Sequence, residues 1–274
     1  MSGLPRSGST LLSALLSQNP RIHTEPSSPL LNVMESMEGL IKKSEPYKAY
    51  PKPDALTRTI QDLFQSYYFS SEKPVVVDKN RGWSEKIEEI EKYLMPQAKI
   101  IYPVRDLTEV LSSLLKIAHA NPFNTKTGRH NFIDNSLVML GRPVTDEHRC
   151  RMMLSDSGII GQCMVSITKA LKNGHKDKFL FVEYRDLVSS PQDQLDRIYD
   201  FIDEERWEHD FDNIVRPNQE NDAEVFSAPE LHRVHKMLLP SKTDPKLILP
   251  EGLYNSLQGK EIWRSEEDLV SRGV

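Results

Sequence analysis

The sequence predicts an α/β fold with a central parallel sheet in three layers. Three observations carry this. Short apolar runs recur, each bounded by polar residues, and amphipathic helix patterns separate them. The runs end in polar clusters, Asp78-Lys79-Asn80-Arg81, Arg105-Asp106 and Glu183-Tyr184-Arg185, where ligands of parallel sheets gather. A glycine loop, Gly3 to Gly8, leads directly into a helix pattern.

The elements follow in chain order. Leu11, Leu12, Leu15 and Leu16 form one helical stripe, stopped by Asn19-Pro20. The loop before them looks like the middle of a strand–loop–helix unit whose strand is missing, so the first strand is expected to be truncated. Residues 21–25 read as a short strand running into a loop of Pro and Ser. Residues 30–43 and 55–69 read as helices. Val75-Val76-Val77 is a buried strand, and Ile87, Ile90 and Leu94 mark the next helix. Residues 99–104 form another apolar strand. Val110, Leu111, Leu114, Leu115 and Ala118 line the following helix. Residues 119–151 are polar without a clear period and read as an insertion or lid. Ile160, Met164, Ile167 and Leu171 suit a helix, and residues 179–183 a strand. Ser190-Pro191-Gln192-Asp193 reads as a helix start, with Ser as cap and Pro in the first turn. Residues 200–224 carry ten acids against two arginines, a solvated face or loop. The region 204–274 reads as irregular, within one domain spanning 1–274.

Composition narrows the function. The 274 residues are 38% hydrophobic and 27% charged, with a mean hydropathy of −0.51, which argues against a membrane protein. A net charge of −5 and a pI near 5.9 disfavour nucleic acid as a partner, so any anion must be held locally. Cys150 and Cys163 are too few for a disulfide framework and fit a reducing compartment. With no signal segment in view, the cytoplasm is the expected location. The eight histidines form no His-x-x-x-His pair, and no metal is expected.

The spacing Gly3-x-x-x-x-Gly8-Ser9-Thr10 is that of a phosphate loop, which makes the expected fold P-loop-type. Glycines let successive N–H groups turn inward at a helix start. A nucleoside-triphosphatase loop needs Lys directly after the second glycine, and Ser9 stands there. The cation is Arg6, inside the loop. A kinase or nucleotidase is therefore disfavoured. A non-catalytic nucleotide-binding module is the alternative from another class.

The run Gly3-Leu4-Pro5-Arg6-Ser7-Gly8-Ser9-Thr10-Leu11-Leu12 resembles the 5′-phosphosulfate loop of the sulfotransferases that use 3′-phosphoadenosine 5′-phosphosulfate (PAPS). It is closest to the tyrosylprotein and the bacterial and phage branches. A strand ending in Arg105, with Ser113 eight residues on, resembles the family's 3′-phosphate element. Val182-Glu183-Tyr184-Arg185-Asp186-Leu187 resembles a third family segment, whose Tyr lies near the nucleotide. The resemblance covers residues 3 to about 203. It implies that Pro5, Arg6, Ser7, Gly8, Ser9, Thr10, Arg105, Ser113 and Tyr184 bind PAPS and its product PAP, without a metal. It also implies that Arg6 and Lys79 stabilise charge, because Asp78-Lys79-Asn80 resembles an Asn-Lys-Asp whose Lys assists catalysis. The base would be a Glu or His after the first helix. Glu25 and His23 stand there, two apart and so on one face of a strand. The position matching the tyrosylprotein enzymes' Glu is Ser27. His119 is a third candidate. Trp83 either stacks on adenine or packs the next helix. The acceptor hydroxyl, whether of a small molecule, a carbohydrate or a peptide, is not legible, and neither is the oligomeric state.

Overall fold

The computed structural model describes residues 1–216, 221–239 and 243–264. The order begins with α1 (Ser9–Leu16), β1 (Ile22–Thr24), α2 (Leu30–Lys43), α3 (Glu45–Ala49), α4 (Pro53–Tyr67) and β2 (Val75–Val77). It continues with α5 (Ile87–Tyr93), β3 (Ile100–Val104), α6 (Leu107–Ala120), α7 (Phe132–Met139), α8 (Asp146–Leu154), α9 (Gly161–Lys172) and β4 (Phe179–Glu183). It closes with α10 (Tyr184–Ser189), α11 (Pro191–Ile202), α12 (Asp222–Val225) and α13 (Glu251–Leu257). The molecule is an α/β protein with parallel strands, as the alternation of runs predicts.

β1 pairs with β2 in parallel, Ile22 opposite Val75 and Thr24 opposite Val77. β3 pairs with β4 in parallel, Ile100 opposite Phe179 and Val104 opposite Glu183. The run Met1–Leu4 lies between these two pairs. On one side Ser2 N donates to Ile101 O at 3.0 Å and Leu4 N to Pro103 O at 3.1 Å. On the other, the Met1 nitrogen donates to Asp78 O at 2.6 Å and Asn80 N to Met1 O at 3.1 Å. Donation from alternate residues is the parallel ladder pattern. The run thus holds the position between the two strand pairs.

The apolar stripes bury as their periods require. Leu12, Leu15 and Leu16 of α1 are fully covered, as are Val110, Leu111, Leu115 and Ala118 of α6. β3 is buried along its whole length, which places it inside the sheet. Both polar ends that matter, after β2 and after β3, therefore open on the same sheet edge as the glycine loop.

Three stretches differ from the sequence reading, and the first is 204–274, read as irregular, whose described residues include α12 and α13. Residues 119–151, expected as an insertion or lid, contain α7 and the start of α8. Asn131 accepts from Ile133 N and Asp134 N at the start of α7, and Thr145 from His148 N at the start of α8. Buried Asp134 takes a forked pair from Arg149 at 2.6 and 2.7 Å, tying the two helices together. The polar residues that hid the period are these caps and this ion pair. Ser190, expected as a side-chain cap of α11, makes no such bond. Its N–H instead closes α10 on Asp186 O at 2.9 Å, and Pro191 alone starts the next helix.

Candidate active site

The glycine loop is shaped by three left-handed or extended-positive residues. Gly3 has φ 146°, and a Cβ there would lie 2.6 Å from Pro103 O. Gly8 has φ 88°, and a Cβ would lie 2.8 Å from the Tyr184 ring. Arg6 adopts φ 59°, a conformation a side-chain-bearing residue takes only when its surroundings hold it. Ser7 is buried and donates to Leu4 O at 2.6 Å, bracing the loop from inside. Gly8 precedes α1, whose first residues Ser9 and Thr10 line a cavity of about 460 Å³ together with Pro5, Arg6 and Gly8. The helix start, bare of a side-chain cap, directs its N–H groups there.

Cations gather on this loop. The Arg6 Nε donates to Ser113 Oγ at 3.1 Å, and its Nη1 donates to Leu231 O. Burial, and then Arg105 nearby, push the Arg6 guanidinium below its ordinary value. Lys79, just past β2, donates to Thr10 Oγ1 at 3.3 Å. Arg105, just past β3, donates from Nη1 to the Arg6 carbonyl at 3.1 Å and from Nε to Glu109 at 2.7 Å. Arg105 thus forms an ion pair with Glu109 and also lines the cavity. The Arg105 guanidinium lies 4.2 Å from the centroid of the Tyr184 ring, which in turn covers Gly8. Loop, strand end and Tyr184 are one packed unit.

Arg6, Arg105 and Ser113 also line a second cavity of about 270 Å³ with Lys116. Lys116 is one helical turn beyond Ser113 on α6. The sequence reading missed it, although the (i, i+3) spacing from Ser113 was visible.

The candidate bases separate. His23 Nε2 and Glu25 Oε1 lie 3.3 Å apart, on one face as strand periodicity requires. Tyr67 donates to Glu25 Oε2 at 3.3 Å, and the Tyr68 ring meets His23 edge-on at 5.4 Å. Glu25 shares a small side cleft with Thr10, while Ser27 and Pro26 line the main cavity. His119 lies elsewhere, half exposed and bound to Asp146 at 2.7 Å. Trp83 is buried, packs on Phe64 and donates to Asp78 at 2.6 Å. It takes the packing role and fixes the residue before Lys79. Tyr68 donates to the other Asp78 oxygen at 2.7 Å, and burial followed by Asp78 pushes its phenol well up.

The sequence reading missed one wall altogether. A strap from Phe226 to Leu239 covers the loop, with Leu231, His232, Arg233 and Met237 among the lining residues. Asp222, buried, grips it twice, taking His232 N at 2.8 Å and His232 Nδ1 at 2.7 Å. Arg216 adds a bond to His232 O at 2.7 Å. An irregular strap has no period to read. Its basic residues 233–236 after an acidic stretch were the one available sign.

No curated protein matches the chain. Among solved structures, the chain is similar to the sulfotransferase domain of the Synechococcus PCC 7002 olefin synthase, at 20% identity and a TM-score of 0.50. That likeness covers 98% of this chain and 90% of that one, and it concerns the fold. A sulfotransferase domain from the curacin biosynthetic pathway matches at 19% identity and TM-score 0.46, over 99% and 96%. The sulfotransferase STF9 from Mycobacterium avium matches at 15% and 0.44, over 74% and 63%. The model of the Sulfotransferase family matches residues 1–209, which hold the loop, both cationic strand ends and Tyr184, and the chain belongs to that family.

Proposed function

We propose that the protein moves a sulfuryl group from PAPS to a hydroxyl acceptor. The observation that carries this is the placement of its cations. Lys79 stands beside Thr10 at the start of α1, Lys116 lines the second cavity with Ser113, and Arg6 and Arg105 line both cavities. Such an arrangement suits a ligand with two anionic ends, a 5′-phosphosulfate and a 3′-phosphate. The crowded guanidiniums and the bare helix start fit that ligand.

The chain's own residues do the following. The loop N–H groups, Ser9 and Thr10 hold the 5′ end. Arg105 supplies the planar fork for the 3′ end, Ser113 and Lys116 the remaining donors, and Tyr184 braces both against Gly8. Lys79 and Arg6 stabilise the charge that develops on the departing phosphate oxygen. Glu25, or His23 at its side, takes the acceptor's proton from the side cleft, which shares Thr10 and Pro26 with the main cavity. The acceptor oxygen forms its bond to sulfur as the sulfur–oxygen bond to the phosphate breaks, and PAP leaves. Peptide, carbohydrate and small-molecule hydroxyls all satisfy this chemistry. Two buried free thiols, Cys150 and Cys163, support a reducing setting such as the cytoplasm.

The test is calorimetric titration with PAP, with adenosine 5′-monophosphate and ATP–magnesium as controls, followed by transfer of labelled sulfate from PAPS. Tight binding that depends on the 3′-phosphate is expected. Equal binding of the monophosphate, or a requirement for magnesium, would overturn the reading.

A further inference from the structure

We infer that the acceptor carries an anionic group of its own beside an apolar body, a carboxylate or a phosphate or sulfate ester. The inference rests on the proposed donor chemistry and concerns the rest of the same cavity. Among the described residues, no Asp or Glu lines the main cavity. That is notable in a chain with 40 acids against 35 Lys and Arg. The cations in its wall go beyond those assigned to the donor. Beyond Arg6, Lys79 and Arg105, the wall includes Arg81, two residues past Lys79, and Arg233 and His235 on the strap. They come from two different elements, neither of them the loop nor β3.

The donor and its product are themselves strongly anionic. A second anion brought beside them is repelled unless fixed cations offset it, and in a walled cavity that repulsion is stronger than in water. Arg81 and Arg233 are placed to supply the offset. Arg233 is already paired with Glu230, but both side chains are more than half exposed, so that pair is weak and readily exchanged for a ligand anion. Part of the remaining wall is apolar, with Phe132, Ile159, Phe226, Met237 and Leu239. A bare sugar would leave these surfaces unmatched, whereas an amphiphile uses both kinds of wall.

The experiment loads the protein with PAP and titrates matched pairs of hydroxylated acids and their methyl esters. The pairs are 3-(4-hydroxyphenyl)propanoate, 6-hydroxyhexanoate and 12-hydroxydodecanoate. At least one acid should bind about tenfold more tightly than its ester, the effect of one added charge-assisted contact. Arg81→Gln with Arg233→Gln should erase that difference while leaving the PAP affinity unchanged. The Arg81 carbonyl that holds Ser2 Oγ at 2.6 Å is untouched by the substitution. Esters binding as well as every acid would overturn the inference, and so would no binding of any pair to PAP-loaded protein. Loss of PAP affinity in the double variant would show that these cations serve the donor. Failure of the unaltered protein to bind PAP would remove the donor reading and this inference with it.

Discussion

Replacing Arg105 by Ala isolates the proposed 3′-phosphate contact. Its Nε is committed to Glu109 at 2.7 Å and one Nη1 hydrogen to the Arg6 carbonyl at 3.1 Å. Three N–H groups of the five remain for a phosphate. A hydrogen bond to a charged group contributes about 1.5–3 kcal/mol net. The variant should therefore bind PAP roughly 10- to 150-fold more weakly. It also strands the Arg6 carbonyl, which weakens any ligand of the loop. Adenosine 5′-monophosphate separates the two effects, because it shares the loop contacts and lacks the 3′-phosphate. In calorimetry, the PAP preference over the monophosphate should collapse in the variant, and Arg105→Lys should retain part of it. An equal loss for both ligands would show Arg105 to be a loop brace only. No loss for either would refute the assignment of the second cavity.

Lys79→Met should lower the transfer rate on the order of 100-fold, as loss of one preorganised charge stabiliser does, with a smaller change in PAP affinity; single-turnover transfer of labelled sulfate reads both. Glu25→Gln should spare PAP binding and abolish transfer, and His23→Asn, measured beside it, tells which of the pair takes the proton; full activity in both variants would exclude the pair. Gly8→Ala places a Cβ 2.8 Å from the Tyr184 ring at φ 88°, so it should cost about 1–3 kcal/mol of stability in urea unfolding. Burial pushes the thiols of Cys150 and Cys163 up to about 11, so at pH 8 only about one in a thousand is thiolate; iodoacetamide should label them slowly until urea is added.

Most of the sheet and the loop were legible because their causes are local. Apolar runs at 75–77 and 179–183 became β2 and β4 with the expected ends, and the stripe of α6 buried as its period required. The Gly3–Gly8 spacing was readable because only glycine tolerates those φ values and approaches. What stayed hidden depends on contacts between residues far apart in the chain. Nothing near Trp83 announces that its indole meets Asp78, which also takes Tyr68. Nothing near Leu231 announces that its carbonyl faces Arg6. The helices of 119–151 were masked because their polar residues are caps and a buried ion pair rather than a solvent face.

The run Met1–Leu4 has a consequence for how the molecule breathes. It is a seam four residues long, stitched to β2 through Asp78 and Asn80 and to β3 through Ile101 and Pro103. The two apolar cores meet at this line, one containing Leu4 and the other Met1. Its ladder bonds join the two strand pairs, so opening along it would part them. Lys79 lies on one flank and Arg105 on the other. A ligand gripped by both acts as a rivet across the seam, and the amides of residues 2–4 should then exchange with solvent only as fast as the ligand lets go.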